Sequence, residues 1–281
     1  MTDSPLLICT DLDRTLIPNG AQSESPAAMD IFRSLVSRPN VSLAFVTGRH
    51  QELVEDAIDK FQLPQPDYVV ADVGTTIYEI NSGKWDAWEQ WDREIAPAWM
   101  GMTGDDIYCL LEDIQELKLQ EPFKQNRYKL SYYVALADDH SALERKIFRR
   151  LQEKGVRASL VLSVDSVTAV GLLDILPENA TKLHAIEFLM GELGFGLQNT
   201  VFAGDSGNDI SVLASQIKSI LVANATDLVR QEVIDKAKAS GHADSIFLAK
   251  GGFNGMNGNY SAGILEGVAH YHPQYASLLR S

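Results

Sequence analysis

The 281-residue sequence has only two cysteines, Cys9 and Cys109. That is too few for a disulfide framework, and it suits a reducing, cytoplasmic location. No stretch approaches the ~18 apolar residues of a membrane span, and Met1-Thr2-Asp3-Ser4-Pro5 lacks the basic region of a secretory signal. Positive charge is scarce: 24 Lys and Arg stand against 38 Asp and Glu, a formal net charge of −14. A surface so acidic repels phosphate backbones and anionic bilayers, which sets aside nucleic acid and membrane as partners. The histidines show no zinc-ligand spacing, and neither an internal repeat nor a low-complexity tract occurs. What remains, 45% hydrophobic and 22% charged, is an ordinary globular composition with room for one large or two modest domains.

The pattern along the chain is α/β. Leu6-Leu7-Ile8-Cys9 is a continuous apolar run, as in a parallel strand covered on both faces. Ser25-Pro26 reads as an N-cap and first helical position, before a helix with Met29, Phe32 and Val36 on its apolar face. A strand over 41–46, a helix through 53–61 and a strand at 68–71 complete βαβαβ, the signature of a doubly wound, Rossmann-like parallel sheet. The rhythm changes near Gly74, with a hairpin arm at 75–80 and then four tryptophans, Trp85, Trp88, Trp91 and Trp99. A helix over 105–117, a strand over 129–136, a helix over 141–154 and strands over 156–164 and 168–176, turning at Asp165-Ser166, follow in α+β order. This predicts a core over 1–84 and 175–281, interrupted by a smaller α+β cap domain over 85–174. The parallel pattern resumes with a helix from Lys182, a strand ending at Gly204-Asp205, and further α/β units. The Gly/Asn-rich stretch 251–259 reads as a flexible connector before the last helix.

Ligands of an open α/β sheet bind at the carboxyl ends of its strands. Three strands here end in polar residues: Asp11 and Asp13 after the first, Thr47 after the second, and Asp205 after a later one. If those strands are neighbours, three carboxylates and a hydroxyl share one crevice, and the acids need a cation between them. Hard oxygen ligands suit Mg²⁺, which would let a phosphate dianion approach an anionic nucleophile. Lys182, opening a helix just after the insert, can add a second positive charge.

Asp11-Leu12-Asp13-Arg14-Thr15, Thr47-Gly48-Arg49, Lys182, and Gly204-Asp205-Ser206-Gly207-Asn208-Asp209 resemble, in order and spacing, the four motifs of the haloacid-dehalogenase superfamily of phosphatases. The resemblance implies that Asp11 is the nucleophile, forming an aspartyl-phosphate. It implies that Asp13 is the general acid and base. Thr47, Gly48, Lys182 and Asn208 would hold phosphate. Asp11, the Asp13 carbonyl, Asp205 and Asp209 would hold or support Mg²⁺. Thr181-Lys182-Leu183 departs from the wider branch, where glycine follows the lysine, which bears on loop shape.

The insert's position between the second and third motifs resembles the Cof-type branch, which acts on small phosphorylated metabolites. Gly74-Thr75-Thr76-Ile77-Tyr78, Lys129-Leu130-Ser131-Tyr132-Tyr133, Leu173-Asp174-Ile175-Leu176-Pro177 and the run Ala262 to Tyr271 resemble the sucrose-phosphate phosphatases. The mannosylfructose-phosphate phosphatases are similar too. This implies hydrolysis of sucrose 6-phosphate, with mannosylfructose phosphate or another sugar phosphate as alternatives. A non-catalytic sugar-phosphate-binding module is the alternative from outside enzymology. The expected partners are the disaccharide phosphate and, transiently, the upstream synthase, for a protein otherwise monomeric. Lys129 and Ser131 lie at i and i+2 on one strand, hence on one face. That face suits sugar hydroxyls, and a solvent-facing sheet gives the same alternation. The tryptophans fit cap packing better than sugar stacking.

Overall fold

The computed structural model describes residues 5–136, 139–165 and 170–276. The chain runs through β1 (Leu6–Thr10), α1 (Ala28–Val36), β2 (Val41–Val46), α2 (Gln51–Phe61), β3 (Tyr68–Ala71), β4 (Thr76–Asn81) and β5 (Lys84–Ala87). There follow α3 (Glu89–Ile95), α4 (Gly104–Leu111), β6 (Lys118–Leu119), β7 (Leu130–Val134), α5 (Ser141–Gln152), β8 (Ala158–Asp165) and β9 (Val170–Pro177). It ends with α6 (Lys182–Leu193), β10 (Thr200–Gly204), α7 (Ile210–Leu213), β11 (Lys218–Leu221), α8 (Asp227–Ala239), β12 (Ile246–Leu248), α9 (Ser261–Tyr271) and α10 (Pro273–Ala276). Two compact units result, one of Met1–Ala87 with Lys182–Ser281, the other of Trp88–Thr181.

The first unit is an eight-stranded sheet in the order β12-β11-β10-β1-β2-β3-β4-β5. The first six strands are parallel, and β4 and β5 form an antiparallel edge hairpin. β1 is buried at all five positions because it lies at the centre, between β10 and β2. An unbroken apolar run is what such a strand needs, since both faces meet other elements. Cys9 is part of that buried run, and burial pushes its thiol above the ordinary range. Phe32 and Leu35 of α1 and Ile264, Leu265 and Val268 of α9 join the same core.

Local expectations are corrected in two places. Ser25 does not cap α1; Ala27, in the left-handed region at φ 61°, precedes the helix, and the Ser25 hydroxyl accepts the Asn257 backbone N–H instead. The 251–259 stretch is an ordered loop rather than a slack connector. Gly258 turns with φ 78°, its carbonyl accepts from the Ala223 N–H, and a Cβ there would fall 2.6 Å from the Gly251 nitrogen.

The second unit is a four-stranded antiparallel sheet, β6-β7-β9-β8, with α4 packed on β7 and α5 on β8. Its boundaries differ from the predicted 85 and 174. Trp85 belongs to the edge hairpin of the first unit, edge-on to Tyr78 with centroids 5.4 Å apart. At the other end β9 stays paired with β8 as far as Pro177, so residues 175–181 belong to the insert. The predicted helix over 105–117 stops at Leu111, and the predicted turn at 165–166 falls partly outside the described residues. Trp91 and Trp99 are fully buried in this unit, as packing requires. Among the described residues, no helix is long and apolar enough to cross a membrane.

Candidate active site

The sheet order brings the polar strand ends together. The chain moves from β1 outward through β2 and β3, then returns to the other flank of β1 as β10, which makes β1/β10 a switch point. Asp11 extends the ladder by one bond, its N–H donating to the Ala203 carbonyl at 2.9 Å. Asp205 follows β10 and Thr47 follows β2. All three line a cleft of about 300 Å³ with Asp13, Arg14, Gly48, Arg49, Leu53, Ser206 and Asn208.

At its floor Asp11, Asp205 and Asp209 each place a carboxylate oxygen within 4.8 Å of the others, all three buried. Lys182, equally buried, donates from Nζ to Asp11 Oδ1 at 2.9 Å and to Asp209 Oδ1 at 2.7 Å. A longer bond of 3.4 Å reaches Asn208 Oδ1. Lys182, with the Arg14 guanidinium at Asp205, does not neutralise three acids held so close. Burial, opposed by Lys182 and reinforced by the other two carboxylates, pushes Asp11 up to about 7. Burial and Asp209 push Asp205 up to about 6, against the pull of Arg14, Thr15 and Lys182. Burial alone would depress Lys182, but Asp11 and Asp209 raise it above its ordinary value. Three buried oxygen donors short of positive charge fit a hard divalent cation such as Mg²⁺.

Asp209 is held at both oxygens. Oδ1 takes the lysine, while Oδ2 accepts the N–H groups of Asp205 and Ser206 and the Ser206 hydroxyl, each at 3.2 Å. To do so the carboxylate folds back over Gly204, where a Cβ would sit 2.8 Å from it. Glycine at that point is a requirement of close approach. Asp205 is steadied by the Thr15 hydroxyl at 3.3 Å and by Arg14 Nε at 3.2 Å.

Asp13 stands apart from the acid cluster. Arg49 grips its carboxylate with Nε on Oδ2 at 2.8 Å and Nη2 on Oδ1 at 2.7 Å, and Asn19 Nδ2 adds a bond to Oδ1 at 2.7 Å. Burial acts to raise this carboxyl, but Arg49 and Asn19 outweigh it and hold it below the usual range. Thr47 is buried, and its hydroxyl accepts the Arg49 N–H at 3.2 Å. Arg14, Thr15, Asn19 and Arg49 were not singled out from sequence, although three of them lie inside the quoted motifs.

The second unit holds Lys129 and Ser131, both buried. The Ser131 hydroxyl donates to Asp174 Oδ1 at 2.5 Å, directly across the β7–β9 ladder, and its N–H donates to Gln125 Oε1 at 2.7 Å. Lys129 lies just before β7 and pairs by its backbone with Asn126.

Residues 4–272 match the family model described as sucrose-6F-phosphate phosphohydrolase. A Nitrosococcus oceani protein described as a HAD-like hydrolase is 51% identical over 269 residues, covering 96% of this chain and 72% of its own. The mannosylfructose-phosphate phosphatase of Agrobacterium fabrum is 29% identical over 272 residues, covering 94% and 96%. Sucrose-phosphatase 1 of Nicotiana tabacum is 28% identical over 95% of this chain, which spans 59% of that relative's length. Among solved structures, the sucrose-phosphatase of Synechocystis sp. PCC6803, in complex with sucrose and phosphate, superposes with a TM-score of 0.71 at 23% identity. It covers 95% of this chain and 98% of its own, a likeness of fold.

Proposed function

The chain belongs to the sucrose-6F-phosphate phosphohydrolase family, and from that premise we propose that it removes phosphate from a disaccharide phosphate, with sucrose 6-phosphate preferred. The observation that carries this reading is the buried Asp11–Lys182–Asp209 arrangement beside Asp205 at a strand switch point. A nucleophilic carboxylate, a fixed ammonium and clustered oxygen donors that would hold a divalent cation are what attack on a phosphate dianion demands.

In this mechanism an Asp11 oxygen forms a bond to phosphorus as the bond from phosphorus to the sugar oxygen breaks. The electron pair leaves with the sugar oxygen, which takes a proton from the Asp13 carboxyl. Asp13, then a carboxylate, deprotonates a water that attacks phosphorus, releasing phosphate and restoring Asp11. Asp11, Asp205 and the Asp13 carbonyl, with Asp209 in support, would hold Mg²⁺, which would supply the positive charge that offsets nucleophile and phosphate. Thr47, the Gly48 N–H, Lys182 and Asn208 hold the phosphate. The incoming phosphate is also a rival anion for Arg49, whose release frees Asp13 to carry a proton.

In this reading the insert selects the sugar, and Lys129 and Ser131 are its proposed sugar-contacting residues. A second reading, mannosylfructose phosphate, is favoured by the Agrobacterium relative, which this chain matches over almost its whole length. Phosphate release should be measured on sucrose 6-phosphate, mannosylfructose phosphate, trehalose 6-phosphate, glucosylglycerol phosphate and the monosaccharide 6-phosphates. Preference for sucrose 6-phosphate supports the proposal; preference for a monosaccharide ends the disaccharide assignment and leaves the chemistry intact.

A further inference from the structure

We infer that Asn19 and Asn224 are positioning residues that clasp the two peptide planes flanking Arg14 and so hold the Asp13 carbonyl in its working direction. Arg14 occupies the left-handed region at φ 61°. A residue other than glycine keeps that conformation only where its surroundings over-determine it. Here both adjoining peptides are held. The Arg14 N–H donates to Asn19 Oδ1 at 2.8 Å, and the Arg14 carbonyl accepts from Asn224 Nδ2 at 2.6 Å. The φ and ψ of a residue are the rotation of its two peptide planes about the shared Cα, so pinning both planes pins Arg14.

The Asp13 carbonyl lies in the first of those planes, opposite the Arg14 N–H, because the peptide is planar and trans. Whatever fixes the N–H therefore fixes the carbonyl. Asn19 also reaches the Asp13 side chain through Nδ2, so one amide holds the residue at backbone and carboxylate together.

Asn224 lies 210 positions along the chain from Arg14 and is itself locked. It is buried, and its Oδ1 accepts the Tyr260 N–H at 2.9 Å. Tyr260 closes the Gly/Asn-rich loop, and Asn257 and Asn259 of that loop both donate to the Ser23 carbonyl, at 2.9 and 3.1 Å. The Tyr260 hydroxyl donates to the Gln22 carbonyl at 3.1 Å. Residues 251–260, which no step of the proposed reaction uses, thus brace the segment that continues the catalytic loop.

The inference rests on the proposed role of the Asp13 carbonyl as a ligand for a divalent cation. Calorimetric titration of the full metal-free chain with MgCl₂ tests it. Asn19 is exposed, so Asn19→Ala leaves packing intact. Asn224→Asp keeps the acceptor for Tyr260 and removes the donor to Arg14. Each variant should weaken Mg²⁺ binding by roughly 10- to 100-fold, the usual cost of losing a contact that orients a metal ligand. A purely structural role would lower the melting temperature and leave the dissociation constant of the folded protein unmoved. Asp205→Asn is the control. If it binds Mg²⁺ like the wild type, the metal reading fails and the clasp fails with it. If it loses binding while Asn19→Ala and Asn224→Asp bind as tightly as the wild type, the clasp alone is overturned. Should Asn224→Asp not fold, Asn19→Ala decides.

Discussion

Arg49 holds Asp13 by two bonds, Nε to Oδ2 at 2.8 Å and Nη2 to Oδ1 at 2.7 Å. A fork of this kind keeps its carboxylate ionised, whereas protonation of a leaving sugar oxygen needs the acid form. The pair is therefore a restraint on the proposed general acid. Arg49→Gln should let the Asp13 carboxyl rise and move the limb that it sets in the pH profile of kcat/KM, which reports the free enzyme, to higher pH. A profile that does not move would show that Asp13 is not the group titrating there.

Asp11→Asn removes the nucleophile and one of three crowded acids. Turnover should fall by more than about 10³-fold, on the scale seen when a covalent nucleophile is deleted. The metal-free protein should melt no lower than the wild type, because the lost carboxylate is pushed up to about 7 and is ill at ease ionised. Phosphate-release assays and thermal melts check the two halves. Near-normal turnover would remove the nucleophile assignment.

Metal dependence should carry a pH signature. Below about 7 for Asp11 and about 6 for Asp205, protons occupy the oxygens a cation needs. Mg²⁺ must then displace them, so its apparent affinity should be full above pH 8 and fall by about tenfold for each pH unit per proton displaced. Calorimetry at pH 8, 7 and 6 measures this. Chelation with EDTA should silence activity and added Mg²⁺ restore it; activity in full chelator would contradict the metal site.

His272 makes a separate prediction about stability. Among the described residues nothing hydrogen-bonds its buried Nε2. Burial, with Lys218 nearby, lowers the imidazole from 6.5 to about 4. Because the folded value is the lower one, the unfolded chain takes up its proton first as pH falls. Stability is therefore intact above pH 6.5, is lost between 6.5 and 4, and loses nothing further from this group below 4. The loss should amount to about 1–3 kcal/mol. Urea denaturation of wild type and His272→Phe from pH 7.5 to 4 should show curves that diverge over that window. Parallel curves would mean that the imidazole is not responsible.

The fold could be read in advance where burial writes directly into composition. The apolar run of β1 announces a central parallel strand, and the polar residues that end β1, β2 and β10 announce the crevice. The family-model match agrees with the motifs that carried the resemblance. Other features depend on partners remote in sequence, and no local pattern encodes them. Arg49 on Asp13, Arg14 and Thr15 on Asp205, and Asn224 on Arg14 are settled by which loops meet. Ser25 reads as a cap until Asn257 takes its hydroxyl. The insert's far boundary shifts from 174 to 181 although the strand is read to within a residue of its end, because its last residues pair with β8 of the insert, and local propensity does not name a strand's partner.

The first unit resumes at Lys182, the very residue whose amine joins Asp11 to Asp209. That junction limits how the protein can be re-engineered. A chimera that replaces the insert with a homologous one meets only the edge hairpin on the Ala87 side, but its return seam abuts the reaction centre. Grafts cut in the turn after β9, at 178–181, keep both the β9 pairing and the native approach to that helix, whereas a seam at residue 182 would disturb the amine together with the carboxylates it binds.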